Sequence, residues 1–406
     1  MNRVRYLSNP DFSGIVSKNK GIFLEHLIFP VQTDLETNYS INVFRIVLDL
    51  LPIIDSMSFP VRHTAKSRLS ETDFNHLPFG RIFSDHMFQA DFNGQQWINA
   101  GIRPYAPLEL QPSSAVIHYG QSVFEGMKVY RSAEGELLLF RPIENFKRMR
   151  NSSIRLSMPL VPEDIFMNGI MELIKVDANW VPSGDGKSLY IRPVYFATDP
   201  VIGVHPSELY TFLVITSPTG AYYTSELKVR IEKTYSRASR SGTGYAKAAG
   251  NYAGALYPTQ LAQQAGYNQV IWTDAATNTK VEESGTMNLM FVINNVLVTP
   301  SLSPSKLAGI TRDSIIEIAR HWGFPVEERD VFVEEVVAGL RDGSVTEAFG
   351  TGTAANIAPI SVIGHEGEDF TLPKPTEESF STKALNFLDG IKTGRISDPF
   401  GWVVKI

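Results

Sequence analysis

Residues 242–252 read GTGYAKAAGNY, and residues 281–288 read VEESGTMN. The first segment sets Lys247 among side chains of almost no bulk: Gly244, Ala246, Ala248, Ala249 and Gly250. Such a loop lets a flat ligand lie against backbone. Lys247 also comes just before an expected helix start at Asn251. An amine held there and screened from water can act as a nucleophile. Residue types alone leave a second reading open, a solvated lysine in a flexible loop. The second segment adds an acid at Glu283 and an amide at Asn288. Its other acid, Glu282, is expected at the surface.

Working outward, Leu227–Lys233 reads as a strand that feeds the lysine loop. Residues 251–265 have helical spacing and are closed by Gly266. Pro258 falls inside that run and predicts a kink. Asn288–Ile293 and Val296–Thr299 read as strands joined by the tight-turn pair Asn294-Asn295. Gly309-Ile310-Thr311 opens a helix that Thr311 caps and that runs to about Trp322, with Gly323 beyond it. A helix start with free backbone amides suits a phosphate dianion. Glu347–Gly350 ends a strand and leads into 351–355, TGTAA.

Upstream, Asn93-Gly94 marks a hairpin, and Leu137–Phe140 is a strand. Pro142 sits well in the first turn of a helix, and a second helix covers residues 163–177. Leu189–Ala197 and Leu209–Ser217 are strands rich in β-branched and aromatic residues. Strands in meander with inserted helices favour an α+β architecture over a doubly wound sheet. Neither GxGxxG nor GxxxxGK[ST] occurs, so a nucleotide fold has no support.

Taken together, KxGGNY-like sequence followed by ExGTMN resembles the fold-type IV pyridoxal phosphate enzymes, and the branched-chain amino acid aminotransferases most closely. Residues 118–131, HYGQSVFEGMKVYR, and the FRP triplet at 140–142 strengthen the likeness. It spans about Phe79 to Gly401-Trp402. One position departs: Met290 stands where the family usually has an aromatic, which reads as a packing change on a strand.

The resemblance implies two α+β domains with the active site between them and pyridoxal 5'-phosphate as cofactor. It makes Lys247 the cofactor lysine and catalytic base, and Glu283 the partner of the pyridine nitrogen. Tyr252 is placed on the ring oxygen. Ile310, Thr311, Thr353 and Arg141 are placed on the phosphate. The substrate α-carboxylate falls to Thr286 and the backbone of Ala354, assisted by Tyr119. Phe124, Tyr119 and Tyr222 would wall an apolar pocket, with Tyr190 and Arg192 at its edge. Ile202 and Val204 match a loop that reaches the neighbouring subunit's site, so a homodimer is implied. The implied reaction moves an amino group between leucine, isoleucine or valine and 2-oxoglutarate by a ping-pong path. The partners are therefore those amino acids, glutamate and their 2-oxo acids. Within the same fold the rivals are a D-amino acid aminotransferase and an aminodeoxychorismate lyase. A non-catalytic cofactor-binding protein is the rival from another class.

Bulk properties agree. At 406 residues, 43% of them hydrophobic, two domains are expected. The expected division is an extension at 1–56, a small domain at 57–217, a linker at 218–225 and a large domain at 226–406. Residues 1–56 match nothing in the family, and Met57 reads as an alternative start. The net charge is −6 with no basic run, which argues against nucleic-acid or membrane partners. No segment reads as a targeting or membrane-spanning sequence, so a cytoplasmic location is expected. There is no cysteine, which excludes disulfides and thiolate metal sites. The eight histidines show no metal-ligand spacing.

Overall fold

Two sheets and the helices laid against them make up the chain in a computed structural model, which describes residues 58–220 and 226–406. The expectations for residues 1–56 and for Tyr222 fall outside the described residues.

The first half contributes β1 (His86–Phe92), β2 (Trp97–Pro104), β3 (Ser122–Phe124), β4 (Met127–Arg131), β5 (Leu137–Phe140), β6 (Ser188–Ala197) and β7 (Tyr210–Thr219). Helix α1 is Ala115–Tyr119, α2 is Pro142–Arg155 and α3 is Glu163–Val176. The second half contributes β8 (Leu227–Glu232), β9 (Gln269–Thr273), β10 (Lys280–Ser284), β11 (Met287–Ile293), β12 (Val296–Pro300), β13 (Val326–Arg329), β14 (Val331–Phe332), β15 (Val345–Gly352), β16 (Asn356–His365) and β17 (Glu368–Thr371). Its helices are α4 (Ala249–Ala253), α5 (Leu256–Gln264), α6 (Ile310–His321), α7 (Val333–Asp342) and α8 (Phe380–Lys392). The last strand, β18 (Val403–Lys405), returns to the first sheet and pairs with β5.

The first sheet runs β18-β5-β4-β6-β7-β1-β2, with β3 on β6, and its strand pairs are antiparallel. In the second sheet β11, β15, β16, β8, β9 and β10 follow one another, and β10 pairs back onto β11. Those strands form a closed ring, which removes two open edges. This is the α+β architecture expected from the order of elements. Residues 56–406 form one compact unit. Pro218 and Thr219, expected to open a linker, instead end β7 opposite Leu189 and Ser188.

Three buried clusters explain the layout. Phe88, Phe166, Leu173, Trp180 and Tyr195 fill one face of the first sheet under α3. Val229, Ile271, Phe291, Val336 and Ile363 fill the ring. The third cluster joins Tyr130 and Phe140 of the first sheet to Met290, Ile315, Phe349 and Leu388 of the second half. This seam fixes the two sheets against each other. Met290 is fully buried there, on β11, as a packing residue.

Two local expectations are corrected. Asn251–Ala265 is not one kinked helix: the chain breaks at Gly254 and Ala255, between α4 and α5. Pro258 is the third residue of α5, where a missing N–H costs no helical bond, so no kink arises. Gly309, not Thr311, is the N-cap of α6. The Asn294-Asn295 turn stands as expected, with φ of 50° and 61°, the left-handed pair that a tight hairpin needs.

Candidate active site

A cavity of about 630 Å³ opens at the seam between the sheets. The lysine loop crosses to the first sheet there. The Phe124 N–H donates to the Lys247 carbonyl at 3.1 Å, and Val123 bridges Ala248. The Lys247 N–H donates to Ser152 Oγ of α2 at 2.9 Å. The backbone is thus held from two sides, by β3 and by α2, and the half-buried side chain of Lys247 enters the cavity. Its Nζ donates to the Tyr252 hydroxyl at 2.9 Å and lies 4.8 Å from the centre of the Phe124 ring.

Glu283 lies in a recess next to the cavity that shares Tyr252, Thr286, Asn288 and Leu307 with it. Its Oε1 accepts from the Leu307 N–H at 2.7 Å and from Asn288 Nδ2 at 3.3 Å. Its Oε2 lies 2.8 Å from Arg237 Nε. Burial pushes its carboxyl above the usual range, opposed by Arg237 and the Leu307 N–H. Glu282 is not at the surface. It is 5% exposed, bonded to Ser305 Oγ, with Lys306 Nζ at 3.9 Å. The β9–β10 register shifts between Val281 and Glu283, and residues 305–307 cover both acids, Ser305 and Lys306 at Glu282 and Leu307 at Glu283.

The N-terminus of α6 forms the far end of the cavity. The first helical bond is Asp313 N–H to the Gly309 carbonyl, so the N–H groups of Ile310, Thr311 and Arg312 have no acceptor among the described residues. Gly309 is required there, because a Cβ would overlap the Asn288 side chain. Thr353 brings a hydroxyl to the same end.

Arg141 is elsewhere. Its guanidinium donates to Asp313 Oδ2 at 2.6 Å and Ser314 Oγ at 2.8 Å, and lies 5.0 Å from the Trp402 ring centre. The α2 arginine that does line the cavity is Arg148, two turns along the helix. It forms a bidentate pair with fully buried Glu125 at 2.8 and 2.7 Å and donates to the Ala308 carbonyl at 3.0 Å. Burial alone would lower its pKa; Glu125 outweighs that and raises it. A second cavity, of about 700 Å³, lies beyond Arg148 among Arg155, Arg240 and Lys306. Neither Lys247 nor Thr286 lines it.

Thr286 is the second residue of the turn between β10 and β11, whose first residue, Gly285, has φ of 56°. That turn brings Thr286 into the cavity, opposite Ala354 of the β15–β16 turn. The Ala354 N–H has no partner among the described residues. Phe124, Tyr190 and Arg192 line the cavity together with Phe79, Val194 and Ile215, and Arg192 Nη2 donates to the Tyr190 hydroxyl at 2.9 Å. Tyr119, Ile202 and Val204 do not line the cavity in this chain and are 42%, 71% and 90% exposed.

The sequence-derived set thus converges at Lys247, Tyr252, Glu283, Thr286, Ile310, Thr311, Thr353, Ala354, Phe124, Tyr190 and Arg192. It misses Arg148, Glu125 and Arg237. Arg148 had a readable signal, since Asn145, Arg148, Met149 and Ser152 make one buried helical stripe.

Comparison with known proteins gives one answer. Residues 122–363 match the family described as amino-transferase class IV. The chain is similar to branched-chain-amino-acid transaminase 1 of Bacillus subtilis, 43% identical over 339 residues, which cover 82% of this chain and 95% of that one. It is similar to the branched-chain-amino-acid aminotransferase of Mycolicibacterium smegmatis, 43% identical over 337 residues, covering 81% and 92%. Among solved structures it is similar to the T.th. branched-chain amino acid aminotransferase with pyridoxamine 5'-phosphate. That likeness has a TM-score of 0.65 at 26% identity and covers 80% of this chain and 99% of that one.

Proposed function

We infer the activity of this chain from a premise the comparisons supply, that it belongs to the branched-chain amino acid aminotransferases of the class IV family. It exchanges an amino group between leucine, isoleucine or valine and 2-oxoglutarate, working as a homodimer in the cytoplasm. The observation that carries this reading is that Lys247 Nζ, the Glu283 carboxylate and the unbonded amides of α6 meet at one cavity and its adjoining recess.

The chain uses pyridoxal 5'-phosphate, and its residues fit that group. A flat ring with a basic nitrogen, a ring oxygen and a phosphate needs an acid, a hydroxyl and a cradle of donors. Glu283 would take the nitrogen and Tyr252 the ring oxygen. The amides of Ile310 and Thr311, the hydroxyls of Thr311 and Thr353, and Arg148 would take the phosphate. Pyridoxal phosphate supplies an electron sink for the substrate α-carbon.

The protein's residues supply the rest. Lys247 Nζ takes the α-proton and returns it, with the Tyr252 hydroxyl holding that nitrogen in place. Glu283, fixed by Arg237 and the Leu307 N–H, offers its carboxylate to a ring proton in a dry recess. Thr286 and Ala354 receive the α-carboxylate. Phe124 and Tyr190 exclude water from the apolar side chain, and Arg192 at their edge suits the second carboxylate of glutamate. An apolar wall separates the three branched side chains poorly, because one methylene is worth about 1–3 kcal/mol.

Adding leucine, isoleucine, valine or glutamate to the cofactor-loaded protein tests the reading. Each should change the absorbance of the bound cofactor and release the matching 2-oxo acid. Turnover of D-alanine or aminodeoxychorismate in preference to leucine would refute it.

A further inference from the structure

Two lysines are buried behind the wall of this cavity, where the reaction gives them no part. Lys128 on β4 is 6% exposed, and Lys392 at the end of α8 is 3% exposed. Both line one small void of about 20 Å³, bounded also by Tyr130, Asn145, Thr311 and Thr353. That is room for about one water. Burying an ammonium group is costly, and a methionine would fill either position without that cost. Their bonds explain why donors are kept there.

Lys128 Nζ donates to the Ala354 carbonyl at 2.9 Å. Lys392 Nζ donates to Asn356 Oδ1 at 2.7 Å, and Asn356 Nδ2 donates in turn to Asp389 Oδ1 at 2.9 Å. Ala354 is the middle residue of the turn between β15 and β16, and Asn356 is the first residue of β16, which closes that turn opposite Gly352. Asn356 has φ of 57°, a left-handed backbone that an asparagine keeps when its side chain is held. The turn is therefore gripped at both ends, by β4 of the first sheet and by α8 of the second half.

We propose that Lys128 and Lys392 are positioning residues for the substrate α-carboxylate, holding the turn at 353–356 so that the Ala354 N–H stays aimed into the cavity. This rests on the reading that Thr286 and Ala354 receive that carboxylate. The grip depends on pH. Burial, then the nearby charge of Lys392, pushes Lys128 down to about 7, with Asp389 opposing. Burial pushes Lys392 down to about 8, with Asp389 opposing. Tyr130, from β4, is the other ionisable group on the void, and burial raises its pKa well above the usual value. Asn145, Thr311 and Thr353 do not titrate. As pH rises through 7 and 8 the two ammonium groups become amines. Charged donors become neutral ones, and the turn loosens.

The experiment uses the cofactor-loaded enzyme and 4-methylpentanoate, which carries the carboxylate and side chain of leucine without its amine. In the native protein its Kd should rise with pH across 7 to 8. Lys128→Met and Lys392→Met should each raise that Kd, and the KM of leucine, about tenfold or more. Cofactor affinity should fall by a clearly smaller factor, because Thr353 is carried by this turn while the α6 amides and Arg148 are not. Lys128→Arg keeps a charge that does not titrate and should restore affinity and flatten the alkaline rise. Lys392→Met also removes a repelling charge, so its remaining alkaline rise should move to higher pH, whether or not the arginine variant folds.

An unchanged Kd in both methionine variants, alongside a weakened Thr286→Val, would overturn the positioning role alone. A parallel loss of cofactor and 4-methylpentanoate affinity would reduce the lysines to structural parts. An unchanged Kd in Thr286→Val would overturn the carboxylate reading itself.

Discussion

Removing Arg148 separates two effects that the structure couples. Its guanidinium neutralises Glu125, which is fully buried and, among the described residues, otherwise accepts from Asn145 Nδ2 at 2.7 Å and the Gly126 N–H at 3.2 Å. Stripping one partner from a buried pair costs about 3–5 kcal/mol, because a charge is left uncompensated. The same side chain is a charged donor at the phosphate end, worth about 1.5–3 kcal/mol per hydrogen bond. Arg148→Met should therefore lower the stability of the cofactor-free protein and raise the cofactor Kd roughly ten- to a hundred-fold. Glu125→Gln in the same chain removes the stranded charge. The double variant should regain most of the stability and none of the cofactor affinity. Arg141→Ala is the control: its guanidinium is already engaged by Asp313, Ser314 and the Trp402 ring, so the cofactor Kd should change less than about threefold, well under the effect of one charged hydrogen bond. Equilibrium dialysis of pyridoxal phosphate and urea unfolding of the apo-protein read the two effects apart. A larger loss of cofactor affinity in Arg141→Ala than in Arg148→Met would refute the placement of the phosphate.

Lys247→Ala should abolish transamination while leaving unfolding of the apo-protein near that of the parent, since its side chain is half-buried and, among the described residues, hydrogen-bonds Tyr252 alone; steady turnover above background would remove the lysine from the mechanism. Glu283→Gln keeps the shape and loses the charge, so kcat should fall by orders of magnitude with cofactor still bound. Glu282→Gln, on the Ser305 and Lys306 side, should change stability more than kcat, and the reverse pattern in stopped assays would exchange the roles of the two acids. Gly309→Ala forces Asn288 aside, and Asn288 also bonds Glu283 and the Leu307 carbonyl. It should weaken cofactor binding at least tenfold by fluorescence titration, and unchanged binding would show that the α6 start is not the cradle.

Much of the scaffold was legible because its signals are local. The Asn294-Asn295 turn, the strand at Leu137–Phe140 and the Pro142 helix start each follow from a few neighbouring residues. Failures came where a position depends on what packs over it. The FRP triplet drew attention to Arg141, but helical periodicity carries Arg148 inward and leaves Arg141 beside Asp313. Alternation along a strand predicts that one of two adjacent acids faces water. The register shift between Val281 and Glu283 breaks that alternation, and Ser305, Lys306 and Leu307 pack against both acids, which only the tertiary structure records. Pro258 misled for the same reason. Whether a proline breaks a helix depends on where the helix starts, and the break at Gly254-Ala255 moved that start.

The exposed trio of Tyr119, Ile202 and Val204 bears on why the site is built at a seam. A cavity inside either sheet would be walled by one element set and sealed by its own core. At the junction, β3, β6 and α2 contribute Phe124, Tyr190, Arg192 and Arg148, while the ring contributes Lys247, Glu283, Thr286 and the α6 start. Two charged groups of the first half donate across the seam, Lys128 to the Ala354 carbonyl and Arg148 to the Ala308 carbonyl, while the pairs Arg148–Glu125 and Glu283–Arg237 each fix one side of it. Buried charges of this kind are weak contributors to stability but strong selectors of one arrangement. A small shift of one sheet against the other would break both crossing bonds at once. These two charged hydrogen bonds therefore help hold the seam in the geometry that brings the lysine, the acid and the helix start together, and the apolar cluster of Phe140, Met290 and Phe349 supplies the adhesion that offsets the cost of burying their charges.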